Sequence, residues 1–193
     1  MSRTMEARDA QEPKADMNIH KDSRHLATQD VGRGAMLQGV SRWLWISALV
    51  IAVDQITKWS VFIGMEYQSA IPVLPFFSLV HVHNTGAAFS FLAHEAGWQR
   101  YVFLAIGLVA SAFMLYLLNK HRDDTLMAVS LSLILGGAIG NIIDRLWHGF
   151  VVDFLYFHYQ SFTFPAFNVA DSAITVGAAL LILESLFRTG KHG

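Results

Sequence analysis

The side chains best suited to do chemistry are concentrated between Gly136 and Ala173. Asp144, Asp153 and Asp171 stand there with Asn141, Asn168 and Arg145, in or beside strongly apolar sequence. Ionisable groups in such surroundings are costly and are usually kept for function. Two carboxylates at close range do not both ionise easily, so one holds a proton while the other is a base. That division of labour is what activating a water and protonating a leaving amine require. Asp153 and Asp171 are placed for it, because a separation of 18 positions lets the chain between them fold back and bring them together. Asn141, Asp144 and Arg145 fall at i, i+3 and i+4 of one helical face, and Asn168 and Asp171 are likewise three apart.

A plainer role is open to each residue taken alone. Asp171 lies near a helix start, where a carboxylate satisfies free N–H groups and suits the helix dipole. Asp54 and Lys58 are four apart in an apolar stretch, so they can form a stabilising ion pair, or Lys58 can reach outward to the interface. The cluster as a whole is more than capping requires. Other chemistries have less to build on. The chain has no cysteine, which removes disulfides, thiolate nucleophiles and cysteine-based zinc sites. His81-Val82-His83 puts two imidazoles on one face of a strand but lacks the paired motif of a zinc protease. No Gly-x-Ser-x-Gly elbow marks a serine nucleophile. Neither a metal nor a cofactor is expected.

The elements that must position these residues follow from composition. With 193 residues, 53% hydrophobic, 15% charged and a mean hydropathy of +0.38, the chain is too apolar for an ordinary soluble domain and reads as a membrane protein. A net charge of -1 gives no footprint for nucleic acid. Residues 1–42 carry seven Lys/Arg and six Asp/Glu with no aromatic residue, and are expected to be a flexible cytoplasmic tail. Spanning helices are expected at about 43–63, 101–118, 125–146 and 167–187, with residues 189–193 a cytoplasmic end. The fourth is the least clear by hydropathy, since Asp171 and Glu184 bracket only 12 uncharged residues. Gly136 and Gly140 have the small-xxx-small spacing that permits close helix approach. Residues 64–97 hold a β-rich run, Phe77 to His83, next to Asn84-Thr85-Gly86, which predicts strands and a turn outside the membrane. Residues 149–166 are read as a loop. Neither 64–97 nor 149–166 contains Lys or Arg, so both are expected to face outward with both termini cytoplasmic.

Five ordered blocks then resemble one family, the lipoprotein signal peptidases (signal peptidase II), bacterial membrane aspartyl proteases. They are Asp54-Gln-Ile-Thr-Lys58, Asn84-Thr-Gly-Ala-Ala-Phe89, Gly140-Asn-Ile-Ile-Asp-Arg145, Val152-Asp153-Phe154 and Phe167-Asn-Val-Ala-Asp-Ser172. The resemblance covers residues 43–188 and shows no departure within the blocks. It implies four transmembrane α-helices with a small extracytoplasmic β-sheet cradle in the bacterial inner membrane. It implies cleavage of diacylglyceryl-modified prolipoproteins just before the lipidated cysteine, by a monomer in contact with membrane lipid. Asp153 and Asp171 would be catalytic. Asn84, Gly86, Asn141, Arg145, Asn168 and Ala170 would shape the site or hold substrate, with Asp54, Lys58 and Asp144 in support. Set against this is a small proton-coupled transporter or scaffold, because intramembrane carboxylates also mark ion pathways. A transporter would show internal repeats with interrupted helices, which are not evident here.

Overall fold

The computed structural model describes residues 39–86 and 98–189. Four helices, α1 (Gly39–Gly64), α2 (Gln99–Lys120), α3 (Thr125–Trp147) and α4 (Val169–Thr189), are each long and apolar enough to cross a membrane. Four strands accompany them: β1 (Ala70–Leu74), β2 (Phe77–Asn84), β3 (Val151–Tyr159) and β4 (Phe162–Thr163).

Helix α3 is the most buried of the four, and small residues let its neighbours approach. A β-carbon on Gly136 would stand 2.9 Å from the Ser47 carbonyl of α1, and one on Gly137 would collide with the Ala170 carbonyl of α4. Ser47 Oγ donates to the Ser132 carbonyl at 2.8 Å, tying α1 to α3 inside the bundle. Gly107 of α2 lies against Ile142. Asp124 starts α3 by accepting the Met127 N–H, which satisfies one of the free donors of a helix start. Helix α1 begins at Gly39, a turn before the expected start of the span at about Trp43. The extra turn is held because Val40 packs on Leu118 and Leu131, while Arg42 donates to the Arg122 carbonyl at 2.6 Å. The rest of the expected tail, residues 87–97 of the expected β-rich segment and residues 190–193 lie outside the described residues.

The sheet is antiparallel in the order β1-β2-β3-β4. Residues 149–166, expected to be a loop, form β3 and β4. The run Val151 to Tyr159 is dense in β-branched and aromatic residues, and its buried first half packs Val152 and Phe154 against Val61 of α1. The register sets Val82 opposite Asp153 and Asn84 opposite Val151. Phe167 then returns to β3, its carbonyl accepting the N–H groups of Phe154 and Leu155 at 3.0 and 2.8 Å. This return places the start of α4 beside Asp153.

Candidate active site

Asp153 lies on buried strand β3 and receives two amides. Asn84 Nδ2 donates to its Oδ2 at 2.9 Å, and Asn168 Nδ2 donates to its Oδ1 at 2.7 Å. Asp171 stands in the first turn of α4. Asn141 Nδ2 donates to its Oδ1 at 2.8 Å, and the Asn168 N–H to its Oδ2 at 3.3 Å. Asn168 therefore serves both carboxylates. It also caps α4 reciprocally, its Oδ1 accepting the Asp171 N–H at 3.0 Å. The helix-start role that sequence left open for Asp171 is real, and it coexists with membership of the site.

Each asparagine has its oxygen engaged by a donor, which leaves its amide free to point at a carboxylate. The Gly86 N–H donates to Asn84 Oδ1 at 2.8 Å, and Lys58 Nζ donates to Asn141 Oδ1 at 2.9 Å. Asn168 is held by its own helix. Four neutral N–H donors, all from three asparagines, thus meet the two carboxyls and favour their charged forms, in opposition to burial. Burial pushes the Asp153 carboxyl up to about 6; the Asn84 bond opposes this, Asp171 adds to it, and the Asn168 bond and Lys58 oppose it.

The ion pair expected of Asp54 and Lys58 forms, at 2.8 Å, and is widened by Asp144, 3.1 Å from Lys58 Nζ. All three residues are buried. Gln55, which sequence reading passed over, donates to Asp54 Oδ2, Asp144 Oδ1 and the Gly140 carbonyl at 3.2, 3.0 and 3.2 Å. Gly140 leaves room for the Asp54 carboxylate, which a β-carbon there would meet at 2.6 Å. Ala170, fully buried, gives its N–H to Asp54 Oδ1 at 2.8 Å. Its small side chain lies where α1, α3 and α4 meet.

Arg145 holds the edge of the site. Its Nη1 donates to the Asn141 carbonyl at 3.1 Å, and its guanidinium lies over the ring of Phe103 of α2, 5.5 Å from the centroid. It is within electrostatic reach of Asp171, Asp153 and Asp144. Phe103 carries no sequence signal, being one apolar residue in an apolar span. Gln55 had one: it adjoins Asp54 in a helix whose polar residues at 54, 55 and 58 share a sector.

The two imidazoles of β2 face each other, His83 Nε2 to His81 Nε2 at 3.0 Å, and His81 Nδ1 meets the Met65 carbonyl at 2.9 Å. Burial, then His81 and His148, push His83 below its ordinary range. Among the described residues no group of three His, Asp or Glu side chains is arranged to hold a metal ion.

The chain as a whole is similar to known proteins. Residues 46–187 match the family described as signal peptidase (SPase) II. The chain is 51% identical over 150 residues to a lipoprotein signal peptidase of Azoarcus sp. (strain BH72), covering 78% of this chain and 85% of that one. It is 52% identical over 149 residues to that of Janthinobacterium sp. (strain Marseille), covering 77% and 90%. A solved structure described as a bacterial membrane enzyme, determined by the in meso method at 2.3 Å resolution, superposes with a TM-score of 0.71. It is 32% identical and is matched over 79% of this chain and 92% of its own.

Proposed function

Since the chain belongs to the signal peptidase II family of lipoprotein signal peptidases, we propose that it hydrolyses diacylglyceryl-modified prolipoproteins at the bond before the lipidated cysteine, with Asp153 and Asp171 as acid and base. The observation that carries this reading is Asn168, which donates to both carboxylates, at 2.7 and 3.3 Å, and so brings them into one site. One carboxylate takes a proton from water as its oxygen bonds to the scissile carbonyl carbon. The other carboxyl gives a proton to the amine as the C–N bond breaks. Burial, which inclines Asp153 to keep its proton, supports it as the proton donor.

Asn84, Gly86, Asn141, Asn168 and Ala170 shape the site in this reading. Arg145, poised beside the pair, binds the substrate backbone. Asp54, Lys58 and Asp144 support it from below. The distribution of Lys and Arg supports an inner-membrane orientation with both termini cytoplasmic and the sheet and aspartates at the outer face. There the acyl chains stay in the bilayer while the peptide bond reaches water. Action as a monomer is part of this reading. The experiment is cleavage of a lipidated prolipoprotein by the purified protein without an ion gradient; transport without cleavage would overturn the reading.

A further inference from the structure

Helix α1 contributes no catalytic group, yet its one lysine stands at the centre of a buried polar cluster. Lys58 Nζ has three donors and uses all three: Asp54 Oδ2 at 2.8 Å, Asp144 Oδ2 at 3.1 Å and Asn141 Oδ1 at 2.9 Å. The two acids hold backbone with their other capacity. Asp54 accepts the N–H of Ala170, the residue before Asp171, at 2.8 Å. Asp144 accepts the N–H of Val152, the residue before Asp153, at 3.1 Å. One buried cluster therefore grips the chain immediately ahead of each aspartate.

The third contact has a different consequence. A primary amide can present either its oxygen or its NH2 group to a neighbour, and the two ends act oppositely on a carboxylate. An ammonium can only donate, so Lys58 requires the oxygen of Asn141 to face it, and the NH2 group must then face Asp171. We propose that Lys58 is a positioning residue of the aspartate pair: through Asn141 it fixes which end of an amide meets Asp171. This rests on the aspartate-pair reading above, and it adds that the electrostatics of the pair are set from α1. Without the ammonium, Asn141 Oδ1 keeps only the Asn168 Nδ2 donor, at 3.4 Å, a weaker hold against which the amide can rotate. Asp171 then loses a donor or faces an oxygen, and the charged form of the pair is disfavoured.

The test uses full-length protein carrying Lys58→Met and, in parallel, Asp54→Asn/Lys58→Met/Asp144→Asn. The triple variant removes the two acids that the single substitution would strand uncompensated in the interior. Three quantities are read: melting temperature, kcat and KM across pH, and the NMR signal of the Asn141 side-chain amide, assigned by its loss in Asn141→Leu. At least one variant is expected to melt near wild type with kcat at neutral pH reduced by about 10²-fold, the scale of a misplaced group. Its KM should stay within about threefold of wild type, since in this account Lys58 acts on the pair and not on substrate binding. The acid limb of its kcat profile should move to higher pH, and the Asn141 amide signal should shift. A folded variant with native kcat, profile and amide signal overturns the proposal. So does failure of both variants to fold, which would make Lys58 a brace of the bundle only. If the wild-type protein does not cleave, the function reading fails by itself, and the amide signal still decides the role of Lys58.

Discussion

The ring of Phe103 occupies the place that a β-carbon on Gly86 would take. Gly86 also has φ of +89°, a conformation that other residues adopt with strain. Its N–H holds the oxygen of Asn84, whose amide holds Asp153. Gly86→Val meets both obstacles at a point two hydrogen bonds from the Asp153 carboxyl. Turnover should fall about 10²-fold while the four-helix bundle, read by circular dichroism and melting, stays intact. Wild-type kinetics in that variant would mean that the turn is merely a surface loop.

The pH dependence of stability carries a sign fixed by Asp153. Its folded pKa is raised from 3.8 to about 6, so the folded state binds the proton more tightly than the unfolded state between those values. Its contribution is therefore fully present below about pH 4 and is lost as pH rises through 6. The span is on the order of 3 kcal/mol. Melting temperature should decline between pH 4 and 6 in the wild type, and Asp153→Asn should flatten that segment. An unchanged slope in the variant would place the titration elsewhere.

Much of this arrangement is legible in the sequence, for a physical reason. Charges in apolar sequence stand out, and Asp54, Lys58, Asp144, Asp153 and Asp171 all converge on the site. Strand β3 was harder. Val151 to Phe154 are buried at four consecutive positions, with Asp153 among them, so no apolar–polar alternation marks the strand, and only β-branched and aromatic enrichment signals it. Phe103 was illegible because stacking on Arg145 depends on how α2 packs against α3, and no spacing within one helix encodes that. The helical turn at 39–42 carries no local signal, because Val40 and Arg42 are held by residues about 80 positions away.

Removal of metal should change nothing. The carboxylate oxygens of the pair are all engaged by N–H donors, and the two imidazoles of β2 are engaged with each other. Turnover is expected to persist in excess chelator. Loss of cleavage on chelation, restored by zinc, would refute the two-carboxyl assignment.

The acyl chains of the substrate should matter to rate. Each methylene retained in hydrocarbon is worth about 0.8 kcal/mol, enough for an anchor to hold the scissile bond at the depth of the aspartates. For matched peptides in nanodiscs, kcat/KM should be at least about 10²-fold higher with the diacylglyceryl group than without it. Equal values would mean that the site reads peptide sequence alone.

The most direct measurement is single-turnover cleavage of a lipidated prolipoprotein by Asp153→Asn and Asp171→Asn, each shown to melt as a folded protein. In the proposed mechanism both carboxyls take part in the same proton transfers. Each variant is therefore expected to lose at least about 10³-fold in rate, and the double variant little more than either alone, as residues acting as a unit do. Cleavage at near wild-type rate by either single variant would contradict the aspartate pair as the machinery of this site.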